Sequence, residues 1–100
     1  MKHLLEKLND TKLDNRIRLG IMSILMVNDW VDFGSFKDML GLTDGNLASH
    51  IKVLESKGYV EFRKQFVGRK PQTSYTATIA GRKAFNDHLK ALEELLKTGE

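Results

Sequence analysis

The chain contains no cysteine and a single proline in 100 residues, and no part of it stays apolar for long. Without cysteine there is no disulfide framework, no thiolate zinc site and no thiol nucleophile, and a reducing cytoplasm is the expected setting. The longest nearly apolar run, residues 21–27, falls far short of the ~20 residues that cross a bilayer. Glu6 and Lys7 stand where an export signal would need an unbroken apolar stretch, so neither export nor a membrane partner is expected. Catalytic groupings are missing too. None of His3, His50 and His88 belongs to an HExxH pattern, and no paired carboxylates or Gly-rich phosphate loop accompany them. Asp29 and Asp32 flank a short β-branched stretch and read as solvated loop carboxylates rather than a cation site. The expectation is a non-enzymatic domain with no cofactor and no bound metal.

What is present is a chain that is 41% hydrophobic and 29% charged, proportions that let 100 residues form one soluble domain with its own core. The net charge of +3 is small, but its placement is uneven. Residues 43–74 carry six bases (Lys52, Lys57, Arg63, Lys64, Arg69 and Lys70) against three acids (Asp44, Glu55 and Glu61), whereas the segments on either side each sum to zero. A basic stripe confined to one third of a small domain is the footprint of a polyanionic partner.

Apolar residues at 17, 21, 24 and 25, with a second row at 19, 22 and 26, give a helix over about 14–28. Its apolar sector is wider than one core contact needs, and Leu4, Leu5 and Leu8 repeat the signal upstream. "WVDFGS" reads as a short strand that ends at Gly34, after which Ser35 caps a brief helix from Phe36 to Leu40 stopped by Gly41. Thr43 is the N-cap of the next helix, its hydroxyl placed to accept from the backbone N–H of Gly45 or Asn46, and Gly58 closes that helix. Beyond it the period becomes two. Val60, Phe62 and Phe66 alternate with polar residues as in a half-buried strand, "VGRKPQ" turns, and "TSYTAT" returns with Tyr75 and Ala77 on one side. Thr78 then caps a last helix to about Lys97, with a stripe of Phe85, Leu89, Leu92 and Leu96.

Helix 43–57 carries the chemistry. At 100° per residue Leu47, Ile51 and Leu54 form its buried stripe. The opposite side then holds Gly45, Ser49, Lys52 and Ser56, flanked by Asn46 and Val53. Small, hydrogen-bonding and cationic side chains suit entry into the ~12 Å major groove, where Asn, Ser and Lys reach base edges or phosphates and a valine methyl meets thymine. Gly45 costs roughly 1 kcal/mol of helix propensity against alanine. Its outward position offers a reason: a sugar-phosphate strand can come close to backbone N–H groups at the positive end of the helix dipole. Relief of crowding against the preceding helix is the other reading. His50 sits about 60° from the centre of the apolar stripe, where a hydrogen-bonded structural histidine and a phosphate contact both fit.

The order helix, strand, helix, helix, basic hairpin, helix resembles a winged helix-turn-helix. The wording goes further: "TDGNLASHI" at 43–51, "LESKGYV" at 54–60, "GRKPQTSY" at 68–75 and T-x-x-G-R at 78–82 are similar to the small winged-helix transcriptional regulators of bacteria and archaea near the MarR and ArsR groups. The resemblance implies a mainly α fold with a small β-hairpin (α+β), a single domain over 1–100. The helix-turn-helix would lie at about 35–57, the wing hairpin at about 59–78, and flanking dimerisation helices at about 3–28 and 79–97. It also implies a partner, double-stranded DNA, read by helix 43–57 in the major groove and by the wing at 67–72 on the backbone or minor groove. The expected contact set is Thr43, Gly45, Asn46, Ser49, His50, Lys52, Val53, Arg63, Lys64, Arg69 and Lys70.

A single such module binds without sequence preference at about 10⁻⁴ to 10⁻⁶ M, whereas regulators reach roughly 10⁻⁸ to 10⁻¹¹ M at specific sites. Two copies close that gap, so a homodimer on a near-palindromic operator is expected, with half-sites ~34 to 36 Å apart. The surfaces assigned to it are Leu4, Leu5 and Leu8, Leu19, Met22 and Met26, and Leu89, Leu92 and Leu96. The competing reading is a winged-helix module for protein partners that does not bind DNA. The basic "GRKPQ" tip favours the first.

Overall fold

Each of the four helices between residues 16 and 98 begins at a polar cap that the sequence supplies. The structure, a computed structural model, describes Glu6 and residues 11–98. Asn15 opens α1 (Arg16–Met26), its side-chain oxygen accepting from the amides of Ile17 and Arg18 at 3.0 and 3.1 Å. After β1 (Val31–Asp32), Asp32 opens α2 (Phe33–Leu40), and Gly41 ends it at φ +64, with the Leu42 amide reaching back to the Lys37 carbonyl. Thr43 caps α3 (Asp44–Ser56) through the Asn46 amide at 3.2 Å. The ribbon of β2 (Val60–Val67) and β3 (Lys70–Ala77) follows, and α4 (Ile79–Thr98) completes the fold. The expected architecture, a mainly helical winged helix with a small β-hairpin, a wing sheet of two or three strands and a C-terminal helix, is the one found, and the sheet has three antiparallel strands.

The start of α2 differs from the expectation of a helix from Phe36 capped by Ser35. Asp32 accepts both the Ser35 amide at 3.0 Å and the Ser35 hydroxyl at 2.6 Å. An ionised carboxylate is the stronger cap, so the helix begins three residues earlier and Gly34 lies inside its first turn. The same hydrogen bonds from Ser35, the side-chain one foremost, hold the Asp32 carboxyl below its usual range.

The sheet runs in the order β1-β3-β2, antiparallel throughout. β1 touches β3 only at Val31↔Tyr75 and Asp32↔Ser74, whereas β2 pairs with β3 along its whole length, from Val60↔Ala77 to Val67↔Lys70. Two residues make the hairpin loop. Gly68 takes φ +65 at the first central position while Arg69 keeps a negative φ, the requirement of a II′ turn.

The core lies where α1, α2 and α3 meet the root of the ribbon: Leu13, Ile21, Met22, Leu25, Phe36, Leu47, Ile51 and Leu54, with Val60, Tyr75, Ala77 and Phe85 at its edge. Two expectations are corrected here. Met22, assigned to a dimer surface, is 0% exposed and spent in the chain's own core, because α1 is central and packs against α2, α3, α4 and β3. Phe62 and Phe66, expected on a half-buried strand, are 53% and 74% exposed; of β2 only Val60 is covered, since the ribbon leaves the core after its first pair. Leu4, Leu5 and Leu8 lie outside the described residues.

Candidate nucleic-acid interface

The buried stripe of α3 is the one its periodicity dictates, Leu47, Ile51 and Leu54, and this fixes what the helix turns outward. Thr43, Gly45, Asn46, Ser49, Lys52 and Ser56 are exposed, with Val53 half-buried at the flank. A Cβ at Gly45 would meet nothing within 4 Å. Crowding against α2 is therefore not the reason for glycine there. The serines are locally anchored: Ser49 Oγ donates to the Asn46 carbonyl at 3.0 Å and Ser56 Oγ to the Val53 carbonyl at 2.7 Å. Each keeps its lone pairs for an outside donor. Asp44, the acid of the first turn, is held by Lys37 of α2 at 2.8 Å, and that pairing raises the Lys37 pKa.

His50 faces α1 rather than open solvent. Arg18 Nη1 lies 2.9 Å from His50 Nδ1, and Arg18 Nε donates to the Lys12 carbonyl at 2.6 Å. Burial, then the Arg18 charge, lowers the histidine pKa. His50 is thus a hydrogen-bonded link between α1 and α3, half-buried at the border of the outer face. Arg18 was invisible as its partner, because nothing in the local sequence pairs residues 32 positions apart.

The ribbon carries the cations. Lys64, Arg69 and Lys70 are exposed and form no ion pair among the described residues. Arg63 is differently placed. Its guanidinium carbon sits 4.0 Å from the centroid of the Trp30 ring, a cation–π stack that ties the base of the wing to the residue before β1. Sequence reasoning grouped Arg63 with the free wing cations and missed Trp30 altogether; the pairing register brings them together, through Ser74 on β3.

The root of the wing is clamped to α4. Thr78 Oγ1 donates to the Gly58 carbonyl at 2.6 Å and accepts the Gly81 amide at 2.9 Å, while the Thr78 amide bonds the Tyr59 carbonyl. Gly81 packs directly on that carbonyl, and a Cβ there would collide with it. This accounts for the T-x-x-G element at 78–81. Among the described residues no group of histidines and carboxylates could hold a metal, and no helix is long and apolar enough to cross a membrane.

Residues 17–96 match the family model of the winged helix DNA-binding domain. The chain belongs to that family. This winged helix domain is 34% identical over 84 residues, 84% of its length and 91% of the relative's, to an uncharacterized protein of Methanocaldococcus jannaschii. Among solved structures it is similar to a transcriptional regulator homologue from Pyrococcus horikoshii, at 33% identity and TM-score 0.88, covering 100% of this chain and 99% of that one. It shares its fold with MarR (16% identity, TM-score 0.76, 89% and 64% covered) and with Bacillus subtilis PadR solved in complex with operator DNA (19%, 0.66, 75% and 48%). The winged helix domain thus resembles transcriptional regulators in sequence and in fold.

Proposed function

We propose that this chain is a homodimeric, sequence-specific DNA-binding transcriptional regulator, with α3 set into the major groove and the wing against the backbone or adjacent minor groove. One observation carries the reading: the exposed side of α3 and the ribbon beside it offer hydrogen-bonding and cationic groups, and no acid occurs between Phe62 and Asn86. Asn46, Ser49 and Lys52 are placed to meet base edges or phosphates, with Thr43 and His50 at the phosphate border and Val53 toward a thymine methyl. Lys64, Arg69 and Lys70 meet backbone. Arg63 serves the site by holding the wing at its root. That PadR, which has this fold, was solved on operator DNA supports the same use of the surface here.

The second copy meets the first along α4 and α1. Leu89 and Leu96 are 40% and 77% exposed on α4, with Leu92 half-buried between them, and Leu19 and Met26 lie half-buried on the α1 helix that α4 packs against. Exposed leucines on one helix need a cover, and a copy related by a two-fold axis supplies it and the second half-site together.

The test is fluorescence anisotropy of labelled genomic fragments across a salt series, with sedimentation of the free protein. Tight binding that weakens steeply with salt, by a dimer, is the expected result. Binding indifferent to salt, or none, overturns the reading in favour of a protein-interaction module.

A further inference from the structure

The wing has a second character besides its charge. Val60, Phe62, Lys64 and Phe66 share one face of β2, because side chains alternate along a strand. The core covers Val60 alone, and Phe66 is carried about 20 Å past it at ~3.3 Å per residue. Its neighbours there are few: Pro71 stands opposite on β3, and Gly68 and Arg69 form the turn two residues on. A strand face left to water is ordinarily polar. This one keeps two phenylalanines in the open, the outer of them near Lys64, Arg69 and Lys70, in a stretch with no acid from Phe62 to Asn86.

An apolar tip set among unpaired cations fits a partner that is anionic at its rim and apolar within. The minor groove of a duplex has that chemistry where a step opens: phosphates rim a slot ≈ 6 Å wide, sugars form its walls, base edges form its floor, and base faces are reached where a step unstacks. A two-residue turn keeps the ribbon end narrow enough to approach it.

The geometry points to Phe66 as an apolar wedge that enters the minor groove and partly unstacks one base step while Lys64, Arg69 and Lys70 hold the flanking phosphates. This rests on the DNA-binding reading above and adds to it a deformation of the duplex. Side chains that wedge between bases kink the helix toward the major groove. Such a kink is cheapest at pyrimidine–purine steps, so the wing selects TA or CA/TG at positions where it makes no base-edge hydrogen bond.

The experiment starts from duplexes that the full chain recovers from a random-sequence library. The recovered duplex is circularly permuted, and bend and affinity are read by gel mobility for the wild type and for Phe66→Ala, Phe66→Leu and Arg69→Ala. Phe66 is an exposed ring, and an unchanged thermal midpoint verifies that its variants fold. Phe66→Ala is expected to lose about tenfold in affinity for each wing, the scale of one lost base–aromatic stack, hence about a hundredfold for the dimer on two half-sites, and most of the bend, with its salt slope unaltered. Phe66→Leu keeps most of both, and Arg69→Ala keeps the bend but lowers the salt slope. The wedge is overturned if Phe66→Ala binds and bends DNA as the wild type does, or if its effect is a change of oligomeric state alone. Should the wild type recover no duplex at all, the DNA-binding reading fails first and the wedge with it.

Discussion

Arg18 of α1 donates to Nδ1 of His50 on α3 across 2.9 Å. A guanidinium has no acceptor, so Nδ1 must carry the lone pair and the His50 proton resides on Nε2. Protonating Nδ1 would delete this bond and set two cations against each other.

The first prediction concerns pH. Burial lowers the pKa of His50, with help from Arg18, and burial also lowers that of His88, against an opposing pull from Asp14; the ordinary value of both is 6.5. In acid the unfolded chain therefore takes up protons before the folded one does. Stability is full above about pH 6.5 and falls as pH drops below it. The thermal midpoint, followed by circular dichroism, is expected to decline as pH falls below about 6.5, and less steeply in His50→Gln. Asp32, whose pKa is lowered from 3.8, acts with the same sign but lower down, its contribution fading only as pH falls through the acid range beneath that value. A midpoint that is flat or rises on acidification contradicts the assignment.

Two glycines should respond in opposite ways to alanine. Gly81→Ala forces a methyl into the Tyr59 carbonyl and is expected to cost about 3 kcal/mol, read by urea unfolding. Gly45→Ala meets open space on a helix and should gain up to about 1 kcal/mol. If a DNA strand lies close to the α3 backbone, that stabler variant binds DNA more weakly. Equal affinity would show that the strand passes farther out.

Wing and helix contacts differ in what they report. Removing Arg69 or Lys70 should weaken binding to every duplex and reduce the salt slope by ~0.9 per lost phosphate contact. Asn46→Ala should instead relax preference at particular base pairs, by about 1–3 kcal/mol, leaving the slope in place. Titrations at several salt concentrations against recovered and scrambled duplexes separate the two.

Arg63→Ala should behave unlike the tip cations. It removes the stack on Trp30, the sole tryptophan, and is expected to cost about 0.5–1 kcal/mol of stability. Trp30 emission should change in the free protein, before any DNA is added. An unaltered spectrum would mean that the stack does not persist in solution.

Much of this molecule could be read from its residues, and the parts that could not share a cause. Helix α3 was legible because its period, its Thr43 cap and its Gly58 stop agree, so its buried and open sides followed together. The hairpin was legible from Gly68 and from the alternation on either side. Alternation, however, says which residues share a face and not whether anything covers it, so Phe62 and Phe66 read as half-buried although the core ends at Val60. Met22 failed for the converse reason: a wide apolar sector on α1 looked like surplus, yet the helix is enclosed on several sides. Arg18 with His50, and Trp30 with Arg63, join positions far apart in sequence, where no local signal exists.

The chain's one proline stands in β3 beyond the last residue that β1 covers. In a two-residue hairpin the pair next to the closing one does not exchange amide bonds, so the backbone nitrogen of Pro71 is turned outward, away from β2. A long uncovered ribbon with apolar side chains would otherwise invite another molecule to add a strand. Lacking a hydrogen to donate at that point, the side of β3 that β1 leaves bare is blunted against strand addition, so only the outer side of β2 still offers its amides to another chain.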